Sequence, residues 1–329
     1  MTARGAALQG GLAACGLLLA YGTWQREPER AAGEVVLLEA TKNEVQKVHY
    51  EDGTRATDVE RGRRDDEPKI WVRVSASADG KIPARSLRGG EAAEKLLGEF
   101  APLRATRALG VLDAAKRKEL GFDTSKKKVT VWARGQQRSF AISSQGFGGT
   151  YWKDDRDGRV YLTTATVMGD LESAGSRLVD RRLHEFLPAD YDAVTIKVGG
   201  KRRELTVLQA TPAGVRLAGR LGPGKADDLA SNWSDKVWRL VPIELLGAGE
   251  KPAVGAPEVV VRVEYAAKGK PKGWIELGRT APAAPPALSS AEPPKPDVYA
   301  RSEHSVGWIK LPLNADDVLK EADKVVAAE

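Results

Sequence analysis

The 329 residues carry 29% charged and 42% hydrophobic side chains and a formal net charge of +6, a balance expected of a chain that is mostly soluble and folded and long enough for two domains. One cysteine, Cys15, and three histidines, His49, His184 and His304, exclude an internal disulfide and leave no Cys–His set at zinc-ligand spacing. Basic clusters at residues 61–64, 126–128 and 201–203 adjoin strand-like runs or turns and lack interleaved stacking aromatics. They read as solvated turns and edge protection, and no nucleic-acid partner is expected.

The first element in chain order is "GAALQGGLAACGLLLAYGTW", residues 5–24, which carries no charge. At ~1.5 Å per residue a helix of this length spans ~30 Å, the thickness of a bilayer core. Tyr21 and Trp24 stand at its far end, where amphipathic rings favour the water interface. Residues 1–24 are therefore expected to form a signal-anchor helix that contacts membrane lipid through residues 5–24. "LAAC", residues 12–15, supplies the alternative, a lipoprotein modified at Cys15. Against it, the strongest apolar run, "GLLLAYG", follows the cysteine, where a lipoprotein continues as a polar tether. Arg4 before the segment is nearly balanced by Arg26 and Arg30 after it, so charge alone does not orient the chain. A short N-terminus before a large domain places the bulk of the chain outside the cytoplasm. The localisation expected is a single-pass protein of the bacterial inner membrane.

After a polar linker at residues 25–33, the chain runs twice through one arrangement, expected as a first module at residues 34–188 and a divergent repeat at 189–329. The first pass opens with the strand-like "EVQKVHY" and "IWVRVS", and the second with "DAVTIKV", "RELTVLQA" and "GVRLAGRL". A helix follows in each. Ala93, Leu97, Phe100, Pro102 and Leu103 align without gaps with Trp233, Val237, Leu240, Pro242 and Ile243, apolar at helical spacing and then a helix-ending proline. Next come the hairpin patterns "KKVTVWARGQQRSFAIS" and "PEVVVRVEYAAKGKPKGWIELG". The fold class expected is α+β, with antiparallel hairpins packed on helices in two related modules behind a transmembrane helix.

"YWKDDRDGRVYLTTA", residues 151–165, raises the question of a calcium loop. With Gly158 at position 6 of an EF-hand loop, Asp157 and Asp155 take positions 5 and 3, but Lys153 falls at 1 and Thr164 at 12. Neither can ligate as required. Asp-Gly between β-branched and aromatic runs instead specifies a tight hairpin turn. The second pass has "SEHSVG" at this place, so carboxylates are not required there. The copies also differ by the proline-rich tract 281–297, expected as an extended exposed loop.

Four stretches of the first pass, clearest over residues 70–183, carry a resemblance. They are "KIWVRVS" with "GGEAAEKLLGEFAPLRA", "ELGFD", "VTVWARGQQRSFAISS", and "TYWKDDRDGRVYLTTATVMGDLESAGSRLVDRRL". In order and spacing they are similar to the bacterial domain-of-unknown-function family number 4340. Phe122 and Ser143 stand where that family usually has leucine and glycine. The resemblance covers about a third of the chain. It implies one N-terminal membrane helix and an accessory role beside ABC-type transporters of the gliding-motility class, and it supplies no catalytic residue.

No GxSxG elbow or GxxxxGK phosphate loop occurs. The glycine-rich "SSQGFGG", residues 143–149, lies between two strands and reads as a hairpin connection. Of the acidic pairs Asp154/Asp155, Asp227/Asp228 and Asp316/Asp317, the last two fall in helix first turns, where carboxylates complement the dipole. Glu303 and His304 are neighbours whose side chains would point to opposite faces of a strand, and His184 reads as a capping or surface residue. Trp71, Trp132, Trp152, Trp233, Trp238, Trp274 and Trp308 are expected mainly in cores or repeat interfaces. No catalytic, cofactor-binding or metal-ligating residue is assigned. The function expected is a membrane-anchored, envelope-exposed, non-enzymatic binding or accessory protein with a protein partner, ABC-transporter subunits being the candidates. The alternatives are a cell-wall or polysaccharide-binding module and an unrecognised hydrolase.

Overall fold

The computed structural model describes residues 33–63, 68–75, 84–144, 149–164, 166–211, 214–219, 224–281 and 296–328. The expected anchor at residues 5–24, Cys15 and most of the proline-rich tract lie outside the described residues. Among the described residues no helix is long and apolar enough to cross a membrane. The fold is α+β, dominated by antiparallel sheet with few helices.

The chain begins with β1 (Val35–Leu38) and then lays down β2 (Val45–Glu51), β3 (Ala56–Arg61), β4 (Ile70–Val74) and β5 (Arg85–Arg88). β3, β4 and β5 each pair antiparallel with the strand before. On β2, Val48 and Tyr50 turn into the core while Lys47 and His49 face outward, the period-2 pattern of a one-sided sheet. Helix α1 (Glu91–Glu99) then packs back on the sheet, burying Ala93, Leu96 and Leu97. Fully burying a Leu side chain contributes ~1.5–3 kcal/mol. A glycine is needed just before this helix: a Cβ on Gly89 would stand 2.7 Å from Ile70 Cγ2.

β6 (Leu103–Ala105) returns to pair with β1, and β7 (Arg107–Val111) follows. Helix α2 (Ala114–Glu119) starts at Asp113, whose carboxylate accepts from Lys116 N at 2.8 Å. The first half closes with β8 (Lys128–Ala133), β9 (Gln136–Ile142), β10 (Thr150–Asp154), β11 (Arg159–Thr163), and the helices α3 (Thr166–Glu172) and α4 (Ala174–Arg177). The second half contains β12 (Ala193–Val198), β13 (Lys201–Thr211), β14 (Gly214–Gly219), α5 (Asp228–Trp238) and β15 (Glu244–Leu245). It continues through β16 (Glu258–Ala267), β17 (Lys270–Arg279), β18 (Val298–Ser302), β19 (Ile309–Lys310) and α6 (Ala315–Ala327).

The two large sheets share one connectivity. The first has nine strands in the order β5-β4-β3-β2-β8-β9-β10-β11-β7, and the second has eight, β14-β13-β12-β16-β17-β18-β19-β15. With β5 set aside, the chain visits the positions of both sheets in the same sequence. Helix α1 falls where α5 does, and α3 with α4 where α6 does.

Two hydrophobic clusters fill the structure, one drawn from residues 37–179 and the other from residues 183–326. Leu183 and Phe186, read from the sequence as part of the first module, pack in the second core. Helix α5 also closes the β14 edge. Val215 N donates to Asp235 Oδ1 at 3.0 Å, and Leu217 N to Ser231 Oγ at 2.9 Å. Asp227 N donates to Leu217 O at 2.7 Å. Side chains of one helix thus satisfy the row of backbone groups that an edge strand leaves open.

One aligned pair behaves differently in the two halves. Leu103 is buried, whereas Ile243 is 57% exposed. Leu103 lies on β6, which β1 covers, while among the described residues β15 pairs only with β19. Among the described residues, the second half has no strand in the place that β1 fills.

A candidate binding surface where the two sheets meet

The chain leaves the first sheet pinned to the turn before α1. Gly90 N donates to Leu178 O at 2.8 Å and Asp180 N to Arg88 O at 2.9 Å, with a bridge between Gly89 and Val179. The linker is then held by the turn after β18. Ser302 Oγ donates to Leu183 O at 2.5 Å, His304 Nε2 to Asp180 Oδ2 at 2.9 Å, and His184 Nδ1 to Glu303 Oε1 at 2.9 Å. Glu303 Oε2 also accepts from Trp274 N at 2.8 Å. Burial acts to raise the Asp180 carboxyl, but hydrogen bonds from His304 and Arg182 outweigh it and hold the group well below the usual carboxylate range.

His184 corrects the expectation of a surface or capping residue, because its side chain is only 4% exposed. Leu183 and Phe186 carry it into the second core. There it stacks on Trp238 with ring centroids 4.8 Å apart and a 12° interplanar angle. Phe186 and Tyr265 close two further sides at 4.9 and 5.1 Å. His184 Nε2 and the Tyr265 hydroxyl are buried with no hydrogen-bond partner among the described residues. Burial pushes the Tyr265 phenol well above its ordinary value, so this hydroxyl keeps its proton. A carboxylate-backed imidazole has the parts of a general base. Here it is sealed beneath aromatic rings and ties the linker to the β18 turn.

Beside this clamp the two halves form a cleft of about 400 Å³. Arg85 on β5 reaches across to Glu244 at 2.7 Å and Glu250 at 2.9 Å. Ala248 N donates to Ser86 O at 3.1 Å, so residues of the second half cover the β5 edge. Leu245 packs against both cores and forms part of the cleft wall.

From the cleft, residues 241–243 run out along the surface. Glu244 pairs with Lys310, and Val241 lies just before this short ladder in the chain as Leu313 lies just after it. These two side chains are 67% and 64% exposed. Val241 lines a groove of about 620 Å³ between the end of α5 and the start of α6, with Leu240 and Val318 also in its apolar lining and Lys236, Lys320 and Glu321 at its polar positions. Large aliphatic side chains left exposed near an open groove are a signature of a contact surface.

The other residues singled out in the sequence fall elsewhere. β10 and β11 form the expected hairpin, with Trp152 opposite Tyr161 and Gly158 at φ +71°. Asp154 is fully buried and paired with Arg138 at 2.5 Å, Asp155 faces Lys128 at 3.3 Å, and Asp157 accepts from Arg159 N at 3.0 Å. Asp227 caps α5 by accepting from Ala230 N at 2.9 Å, and Asp316 and Asp317 lie in the first turn of α6. Glu303 and His304 do not bond each other but grip different residues of one linker.

Trp152 and Trp233 fill the cores, and Trp238 is half-buried over His184. Trp71, Trp132, Trp274 and Trp308 are half-buried, each beneath a cation. Arg262 sits 4.8 Å from the Trp274 ring and Arg301 4.7 Å from that of Trp308, and Glu276 pairs with both arginines. Arg203, from the "KRR" cluster, is buried, with Nη1 donating to Val325 O at 2.7 Å and Nη2 to Asp227 at 2.5 Å. No family model, curated protein or solved structure matches this chain.

Proposed function

We propose that this chain is a membrane-anchored binding or accessory protein. In this reading residues 5–24 hold it in a bacterial inner membrane, and the folded part works on the extracytoplasmic side without catalysing a reaction. The observation that carries the reading is the exposure of Val241, which lines the α5–α6 groove, together with that of Leu313 and Ile243. Three large aliphatic side chains on one module favour a protein partner over a small polar ligand. Ile243 lies where, among the described residues, the second half has no counterpart of the cover that β1 gives Leu103. The shared strand order supports the further proposal that the halves descend from one duplicated unit. The likeness of residues 70–183 to family 4340 points to subunits of an ABC-type transport or gliding-type complex as the partner. A glycan reading has less support, since the outer-face tryptophans are covered by arginine or lysine.

The test is site-specific photo-crosslinking in the native host from positions 241, 313 and 111. Val111 is equally exposed but lies on β7 of the first half. One discrete transporter-subunit adduct is expected from positions 241 and 313 and none from 111. No adduct at the first two, or the same adducts at all three, would overturn the reading.

A further inference from the structure

The cleft between the halves combines apolar walls with guanidinium groups that retain free donors. Val74 and Leu87 line it from the first half and Leu245 from the second. Arg55 and Arg181 stand on the same cleft. Arg55 gives its Nε to Asp52 Oδ2 at 3.3 Å, and neither of its terminal nitrogens has an acceptor among the described residues. Arg181 is exposed and has no ion-pair partner among the described residues, although its neighbours Asp180 and Arg182 pair with each other at 2.7 Å. The other charges on the cleft are committed: Arg85 to Glu244 and Glu250, and Glu172 to Lys127 at 2.7 Å. Two guanidinium forks with donors not taken up by the described residues therefore border a cleft of about 400 Å³ with an apolar part at Val74, Leu87 and Leu245, within the size range of small-molecule sites.

We propose that this cleft binds a small organic anion with an apolar body, the simplest form being a carboxylate on a short alkyl chain. The planar fork of an arginine matches the two oxygens of a carboxylate, and the two bonds fix its orientation. Val74, Leu87 and Leu245 then take the alkyl body out of water, which a compact ion such as acetate lacks. Because the walls come from both halves, the bound anion bridges them next to the Arg85 contacts. The inference goes beyond the protein-docking reading and does not depend on it.

Isothermal titration calorimetry on the full chain in phosphatidylcholine nanodiscs, corrected with empty discs, tests it. The probes are hexanoate, acetate as the anion without a body, and hexanol as the body without a charge. Hexanoate is expected to bind at least tenfold more tightly than either control. Arg55→Gln with Arg181→Gln should weaken hexanoate at least tenfold and leave the melting temperature unchanged, since both side chains reach solvent. Val74→Trp, which fills the cleft with the arginines intact, should also abolish binding. Equal affinity for hexanoate and either control, or unaltered binding in the double arginine variant, would overturn the proposal.

Discussion

His304 Nε2 donates to Asp180 Oδ2 at 2.9 Å across 124 residues of chain, and both side chains are nearly sealed from solvent. Four residues further along the linker and one residue back along the turn, His184 and Glu303 repeat the arrangement with the roles exchanged, since now the linker supplies the imidazole and the turn the carboxylate. Removing one partner of a buried pair leaves the other desolvated without compensation. His304→Ala keeps Arg182 on Asp180, so a loss of about 2–3 kcal/mol is expected, in the range for a hydrogen bond to a charged group. Denaturant unfolding of the variant and the parent measures it. A loss within experimental error would show that the linker is held by other contacts.

The same pair sets a pH dependence. Asp180 is depressed in the folded protein relative to its ordinary value of 3.8. A depressed carboxyl contributes its full stabilisation above the unfolded value and loses it as the pH falls through the folded one. The stability difference between the parent and Asp180→Asn should therefore stay constant from pH 7 down to about 5 and shrink below about 4. A difference that widens in acid would refute the sign.

His49 has the opposite sense. Its hydrogen bond to Asp58 at 2.7 Å raises it from 6.5, against burial and the nearby Lys47. A raised histidine contributes fully below the unfolded value, and the contribution is lost as the pH rises through the folded one. Asp58→Asn should thus bring the His49 titration, followed by NMR, back toward lower pH. It should also remove the part of the stability that the parent loses above pH 6.5. The side chain is a quarter exposed, so the effect on stability is small.

The long hairpins are legible in the sequence because apolar residues alternate along strands such as β12 and β16 and glycine-containing turns separate the paired runs. β8, β9, β16 and β17 are paired as their patterns require. Short strands carry no such period: "RSLR" of β5 and "EL" of β15 hold four and two residues, and tertiary pairing alone defines them. The clamp is illegible for a different reason. "DRRLHEF" reads as surface because it is charged, and two of the rings that bury His184 come from the distant positions 238 and 265. The one local signal was Leu183 and Phe186, apolar residues flanking the histidine. Ile243 misled because its repeat partner is buried by β1, whose counterpart in the second half is missing among the described residues.

Edge closure by α5 can be tested at Asp235 and Ser231. Each accepts a backbone N–H of β14, so Asp235→Ala and Ser231→Ala should each cost about 1 kcal/mol. The greater effect should be on association, because an uncovered strand edge is a template for pairing with a second chain. Light scattering of the double variant at rising concentration should show self-association that the parent lacks. Unchanged scattering would mean that packing of α5, rather than its hydrogen bonds, protects the edge.

The aspartates of "DDRDG" separate by environment. Asp154 is fully buried, bonded to Arg138 and accepting from Arg156 N at 3.0 Å, whereas Asp155 meets Lys128 in solvent. Asp154→Ala should strip the partner from a largely buried arginine and open the turn, costing about 3–5 kcal/mol. Asp155→Ala breaks an exposed pair worth about 0–1 kcal/mol. If the loop bound calcium, Asp155 and Asp157 would matter most, and adding the ion would raise the melting temperature. The expected order is the reverse: Asp154 dominant, Asp155→Ala with Asp157→Ala close to the parent, and no shift on adding calcium or a chelator. A calcium-dependent shift in the parent that is absent from the Asp155/Asp157 variant would reverse the assignment of this loop from hairpin turn to metal site.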